Sequence, residues 1–349
     1  MRTKTRWIAA AVVTALCSGL VLATPAAARH PAAPEPLADG LAGPLSVDVT
    51  LGGDVLVAQN FAGLVSKVSR RGGVTDLVQE PGVTAVDGFF GFVYYTVLTE
   101  DGSSQLKVRD PRGRTRTIAD LGAHEASRNP DADQSYGVRD ISEECAAQWP
   151  VDELGPPQYT GIVESNPYSI EVTFWGTYVA DAAANAILRV DHWTGRVRTV
   201  AVLPPQPLRI PDDPTGLGLP ACAGGLTYDF EPVPTDVEYH RGDLYVSTLP
   251  GGPEDPSLGA RGSVYRVDPR RGSSHRVATG FLAATDLAVA PHGTIYVTEL
   301  FGGQVSKVTR NGPVPVASFD TPVAIEWARG RLYVAYEAFG SGKVATIRA

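Results

Sequence analysis

The chain has 349 residues, 43% of them hydrophobic and 19% charged, with a formal net charge of −8. That much apolar material excludes a disordered chain, and the acidic balance excludes the concentrated basic face that nucleic acid requires. Gly (37) and Pro (28) are frequent, which points to a chain that turns often.

At the N-terminus, Arg2, Lys4 and Arg6 precede an apolar run from Trp7 to Ala23, and Ala26-Ala27-Ala28 follows. This is the pattern of a secretory signal peptide over residues 1–28, cleaved near Ala28 and leaving residues 29–349 as a single domain. Secretion to the medium or the cell envelope is therefore expected. Processing leaves two cysteines, Cys145 and Cys222, and in an oxidising compartment such a pair is expected to form one disulfide. No later segment approaches membrane length, so no membrane span is expected in the mature chain.

The most informative feature is an internal repeat. Its clearest copy runs from Pro234 to Val246 and continues through Gly262–Gly272 into Ser274–Ala278. Tyr, Val and Leu alternate with small or polar residues, the period of a pleated strand, and Asp268-Pro269 with Gly272 supplies a hairpin turn. The strand ending in Tyr-Val or its equivalent recurs at Val57, Tyr95, Val179, Val246, Val297 and Val334. Six units of four strands, none able to bury both faces alone, are expected to close into an all-β, six-bladed β-propeller. The last unit has only three strands before Ala349. Pro36–Leu41 reads like Arg276–Phe281, the fourth strand of the fourth unit, so the N-terminal strand is expected to complete the last blade.

Ala119-Asp-Leu121, Asn129-Pro-Asp131, Ser165-Asn-Pro-Tyr168, Val179-Ala-Asp181 and the Pro234–Val246 phrase together resemble the ScyD/ScyE family of secreted proteins, related in fold to six-bladed propellers of the NHL type. The resemblance covers nearly all of the mature chain. It implies a secreted propeller protein, and no established reaction.

Stacking the repeats aligns two charge columns. First strands carry Asp48, Asp87, Glu171, Glu238 and Glu326, with Ala288 in the fifth unit; third strands carry Lys67, Lys107, Arg189, Arg266 and Lys307, with Thr346 in the sixth. The expectation is a set of ion pairs between neighbouring blades: Asp48–Lys107, Asp87–Arg189, Glu171–Arg266, Glu238–Lys307 and Glu326–Lys67. Left unpaired, such carboxylates around a narrow channel would repel by about 3 kcal/mol per neighbouring pair.

Surplus length falls in three insertions, 121–165, 203–233 and 249–261, which an up-and-down blade order places on one face. Function is expected on this face. Around its mouth, Asn60, Asn166, Tyr168, Asp181, Asp236, Asp286, Glu299 and Glu337 begin first strands or end second ones, and Trp149, Tyr136 and Tyr159 add aromatic area. The candidate ligand-binding set is Asn166, Tyr168, Asp181, Asp236, Asp286, Glu299 and Trp149, although caps and turns are the ordinary employment of such residues. The ligand class is open: a small molecule, a glycan or a protein, bound by a monomer.

The alternative is a metal-dependent hydrolase or lyase of the six-bladed lactonase type, with Asn166, Asp181, Asp236 and Glu299 as oxygen ligands for Ca2+ at the mouth. A quinone-dependent sugar dehydrogenase needs a His, Arg and calcium set that the sequence does not assemble. There is no Gly-x-Ser-x-Gly elbow or His-Glu-x-x-His pair, and no catalytic residue is assigned. His192, His240 and His292 fall in predicted turns. His124 beside Glu125 is a weak catalytic signal, and Asp131–Ser135, faintly like a calcium loop, is expected to be a surface loop.

Overall fold

A computed structural model describes residues 33–253 and 255–348. The expected leader, 1–28, lies outside the described residues. The described chain is all-β, with seven four-stranded antiparallel sheets. In chain order the first five repeat sheets are simple up-and-down meanders, with first strands Pro44–Val49, Val83–Phe89, Pro167–Thr173, Pro234–His240 and Ala284–Val289. The sixth contains Ala324–Ala328, Arg331–Tyr336 and Gly342–Arg348, and its fourth strand is Glu35–Leu41, with Pro36 opposite Ala345 and Leu41 opposite Gly342. The first strands of these six sheets pack side by side in chain order, and the sixth packs back against the first.

The core follows from that order. Each sheet alternates side chains to its two faces, so both faces need cover. Tyr94 and Leu106 of sheet two meet Ile170 and Leu188 of sheet three. Tyr178 and Ile187 of sheet three meet Leu244 and Val246 of sheet four. The sequence of wedges ends with Tyr333 and Val344 of sheet six against Val55 and Val57 of sheet one. Burying the apolar faces between neighbouring sheets is what stabilises units that are too thin to stand alone.

The insertions are not simple loops. Ser135–Val138 and Gln158–Thr160 from the first, and Gln206–Arg209 and Thr227–Phe230 from the second, pair into the seventh sheet. Its two middle strands are held by a two-pronged ion pair, in which Arg139 Nε donates to Asp229 Oδ2 at 2.9 Å and Nη2 to Oδ1 at 2.6 Å. The sheet has its own small core of Val138, Cys145, Trp149, Ile210 and Ala223. The disulfide Cys145–Cys222 joins the two insertions, as expected, with Cα atoms 5.8 Å apart. The first insertion opens with helix α1, Leu121–Arg128, whose first turn is capped by Asp120 Oδ1 accepting the Ala123 N–H at 2.8 Å. Among the described residues, no helix is long and apolar enough to cross a membrane.

The expected ion pairs between neighbouring repeats do not form. Lys107 pairs with Glu80, Arg266 with Asp243 and Lys67 with Asp54 at 3.9 Å, all within or beside their own sheets, while Arg189 donates to the Trp175 carbonyl. The acids instead accept backbone N–H groups of the next first strand: Asp48 from Gly88, Asp87 from Val172 and Glu171 from Tyr239. The reason lies in the sheet edge. A first strand has a neighbour on one side only, so its inner N–H groups are free, and a carboxylate from the adjacent sheet satisfies them where a distant guanidinium cannot reach.

Candidate functional site

The elaborated face carries two cavities. The first, about 620 Å³, is lined by starts of first strands and ends of second strands from several sheets, including Leu45, Tyr168, Thr285 and Leu300, together with the third insertion from Leu249 to Arg261. The second, about 520 Å³, lies further out and draws on all three insertions: Trp149 and Leu154 from the first, Leu208, Ile210, Leu219, Tyr228 and Phe230 from the second, Pro253 and Leu258 from the third. Gly252 and Pro253 line both, so they form a shared wall. In that wall the Arg261 guanidinium stands 4.4 Å from the centre of the Phe230 ring and donates to the Gly251 carbonyl at 3.0 Å. Burial lowers the Arg261 pKa.

A narrow channel between the first strands is lined by Asp48, Asp87, Glu171, Asp236, Glu238, Asp286 and Glu326, with Ser46 and Ser169 between them. Asp236 accepts from Ser169 Oγ and from the Leu287 N–H at 3.2 Å, and Asp286 from the Ile325 N–H at 3.1 Å. Burial pushes Asp48 up to about 7, and burial with mutual repulsion holds Asp87, Glu171, Glu238, Asp286 and Glu326 well above the usual carboxylate range. Tyr168 lines the inner cavity and stands near the channel acids Asp286 and Asp236. Its phenol is pushed up to about 12, first by burial and then by the charges of Asp286 and Asp236.

The seven residues expected to bind ligand therefore separate. Tyr168 lines the inner cavity, Trp149 the outer one, and Asp236 and Asp286 the channel. Asp181 is wholly buried, accepting from Ser165 Oγ at 2.6 Å and the Asn166 N–H at 2.7 Å, so Asn166 and Asp181 form a strand cap. Glu299 accepts the Leu282 N–H at 2.7 Å and Gln304 Nε2 at 2.9 Å within sheet five and its approach. The four residues expected to hold Ca2+ are thus engaged at three different places, and among the described residues no three Asp, Glu, His or Cys side chains group as a metal site. Glu337 is likewise taken, by Lys343, while Asn60 donates Nδ2 to the Thr84 carbonyl and keeps a buried Oδ1 without a partner among the described residues.

His124 and Glu125 do not work as a pair. Successive residues on a helix diverge by about 100°; His124 turns to Thr199 at 3.1 Å while Glu125 turns inward and is 1% exposed. Burial, with Asp181 and Asp131 nearby, pushes Glu125 up to about 8. His192, expected to be solvated, stacks on Tyr94 with ring centres 5.0 Å apart and meets Thr177 Oγ1 at 2.8 Å. Asp131, expected on a surface loop, is 2% exposed.

No family model and no curated protein matches the sequence. Solved structures do resemble the fold. The chain is a β-propeller protein. The luciferin-regenerating enzyme superposes with a TM-score of 0.55 at 8% identity, covering 91% of this chain and 95% of that one. The PQQ-bound aldose sugar dehydrogenase of Streptomyces coelicolor gives 0.51 at 14% identity over 90% and 96%. A streptogramin B lyase gives 0.50 at 15% identity over 90% and 96%. At these identities the likeness carries the propeller architecture and no chemistry.

Proposed function

We propose that this protein is a secreted, six-bladed β-propeller of ScyD/ScyE type, closed by its N-terminal strand, that binds an amphipathic small molecule across the elaborated face. The cyclic packing of six first strands and the pairing of Glu35–Leu41 with Gly342–Arg348 support the ring. The pair of adjoining cavities, about 620 and 520 Å³, carries the functional reading. Each is of the size that takes a drug-like molecule, and apolar walls with few polar groups are what such sites use. The outer cavity offers Trp149, Tyr228 and Phe230 to an aromatic or aliphatic portion, and the inner one offers Tyr168 and polar backbone. A rigid scaffold holding built-up loops suits recognition by a preformed mouth.

The test is binding of an amphipathic aromatic panel, with 1-anilinonaphthalene-8-sulfonate as first member, followed by dye and Trp149 fluorescence. Saturable binding is expected, and Leu217→Glu, which sets a charge on the exposed rim of the outer cavity, is expected to weaken it at least tenfold. Undiminished binding to that variant, or no binding by any panel member, would sink the reading. A hydrolase or lyase is the second reading, favoured by the nearness of the channel acids Asp236 and Asp286 to Tyr168 of the inner cavity. It requires a stoichiometric divalent cation and chelator-sensitive turnover of a lactone or phosphodiester.

A further inference from the structure

Three of the sequence phrases that carry the family resemblance, at Asn129–Asp131, Ser165–Asn166 and Asp181, lie apart along the chain and come together around the buried Glu125. Asn129 closes helix α1 in a left-handed conformation (φ 37°), its N–H donating to the Glu125 carbonyl at 2.7 Å. Its side-chain Nδ2 donates to the Gly161 carbonyl at 3.0 Å, which fixes the amide orientation and leaves Oδ1 turned the other way. Asp131 Oδ2 accepts from Tyr136 Oη and from Asn185 Nδ2, both at 2.9 Å. Asp181 of the neighbouring strand spends its oxygens on Ser165 and Asn166.

What remains after this accounting is specific. Both carboxylate oxygens of Glu125, Oδ1 of Asp131 and Oδ1 of Asn129 meet no donor among the described residues, and all four are closed to water. Glu125 and Asp131 are 1% and 2% exposed. The Glu164 N–H points toward Glu125 without reaching hydrogen-bond geometry. Orphaned buried oxygens cost about 1–3 kcal/mol each, and more when charged. Four of them within one seven-residue stretch, 125–131, therefore call for a partner. Lys and Arg do not supply it, since the ion pairs formed among the described residues include neither acid.

We propose that Glu125, Asn129 and Asp131 hold a hard divalent cation of the calcium class, which ties helix α1 to the segment of the first insertion that follows it, where Asp131 already accepts from Asn185 of sheet three. The donors are all oxygen, two carboxylates and one amide, with His124 turned away to Thr199, and this composition selects against the softer metals that prefer imidazole or thiolate. An ion with ligands at about 2.4 Å needs less room than a water molecule, which reconciles closure to water with unmet oxygens. Gly161 fits the same arrangement. A Cβ there would stand 1.9 Å from Asp131 Oδ1, so any side chain would displace the unpartnered oxygen.

The experiment uses the mature, disulfide-intact protein, stripped with EDTA and titrated calorimetrically with CaCl2 and, separately, MgCl2, with thermal melts in parallel. One equivalent of Ca2+ is expected, with an upward shift of the thermal midpoint. Glu125→Gln and Asp131→Asn are expected to lose both while keeping the wild-type far-ultraviolet circular dichroism at 20 °C. Asp236→Asn, in the channel, is expected to keep both. Absence of saturable Ca2+ binding by the wild type would overturn the proposal. So would Ca2+ binding that survives Glu125→Gln or is lost in Asp236→Asn, or a Glu125→Gln variant stabilised at pH 8 with no response to Ca2+, which would mark Glu125 as a protonated acid.

Discussion

The carboxylate of Asp48 accepts the backbone N–H of Gly88 at 3.0 Å, across the boundary between sheets one and two. Asp87 to Val172, Asp236 to Leu287 and Asp286 to Ile325 repeat the device. Each joint satisfies a donor that the inner edge of a first strand would otherwise leave free, and each brings a carboxylate into the channel between the first strands. With Glu171 to Tyr239, the stitching that holds neighbouring sheets in register is therefore also what brings five of the seven acids into one channel.

That concentration makes stability depend on pH with a definite sign. Burial lifts Asp48 up to about 7, and its channel neighbours are also raised. In the unfolded chain these groups titrate near 4. Between the two values the folded chain keeps protons that the unfolded chain releases, so their contribution is fully present below about pH 4 and is lost as pH rises through about 7. The thermal midpoint is expected to fall from pH 5 to pH 8. Asp48→Asn keeps an acceptor for Gly88 and removes the charge, so it is expected to recover up to about 4 kcal/mol at pH 8 and almost nothing at pH 4. A midpoint that climbs from pH 5 to 8, or a destabilised Asp48→Asn at pH 8, contradicts this account.

The repeat was legible in sequence because Tyr-Val strands and Asp-Pro-x-x-Gly turns recur with the period of a sheet, and Pro36–Leu41 was legible as a strand without a partner of its own. The seventh sheet was not. Its strands are three or four residues long, Gly137 and Pro207 interrupt them, and Ser135–Val138 finds Thr227–Phe230 about ninety positions away. The acid column was visible but its partners were misassigned, because aligning charges by repeat number takes no account of free backbone donors. Asp131 looked like a surface residue for a related reason. Its neighbours Ala132, Asp133 and Gln134 are polar or small, and only the fold brings Tyr136 and Asn185 onto it.

Leu41, 2% exposed, belongs to the N-terminal strand and packs in the core shared by sheets six and one. Leu41→Ala is expected to cost about 2–5 kcal/mol, the range for a buried leucine whose site relaxes only partly. Urea unfolding with the midpoint and slope compared to wild type measures it. A loss below about 1 kcal/mol would mean that the strand is an ornament on sheet six and that the packing of sheet six on sheet one does not depend on it.

The ion pair of Arg139 with Asp229 spans the two insertions, and Asp229 is 9% exposed. Asp229→Asn keeps the shape, removes the charge and leaves Arg139 opposed by an amide. The expected cost is about 1–3 kcal/mol, confined to the seventh sheet. Hydrogen exchange is the suitable readout: faster exchange at Val138 and Arg139, with Val57 and Val334 in the repeat sheets unchanged. Equal acceleration in the repeat sheets would show that the seventh sheet and the repeat sheets unfold as one unit.

The disulfide makes a stronger test of that division. Cys145 and Cys222 close a loop of 77 residues, and cross-linking a loop of that length stabilises by about 4 kcal/mol in the chain-entropy account. Sheet three lies within the loop, yet its own strands are paired to each other and its core is shared with sheets two and four. The outer cavity, by contrast, takes Trp149 from one side of the bridge and Leu219 from the other. The double variant Cys145→Ser, Cys222→Ser is therefore expected to lower the melting temperature while retaining the wild-type far-ultraviolet spectrum at 20 °C, and to lose binding of amphipathic probes. Trp149, buried against Cys145 in the native chain, is expected to shift its emission to the red. Unchanged emission together with unchanged probe binding would mean that the seventh sheet holds the outer cavity in shape without the bridge.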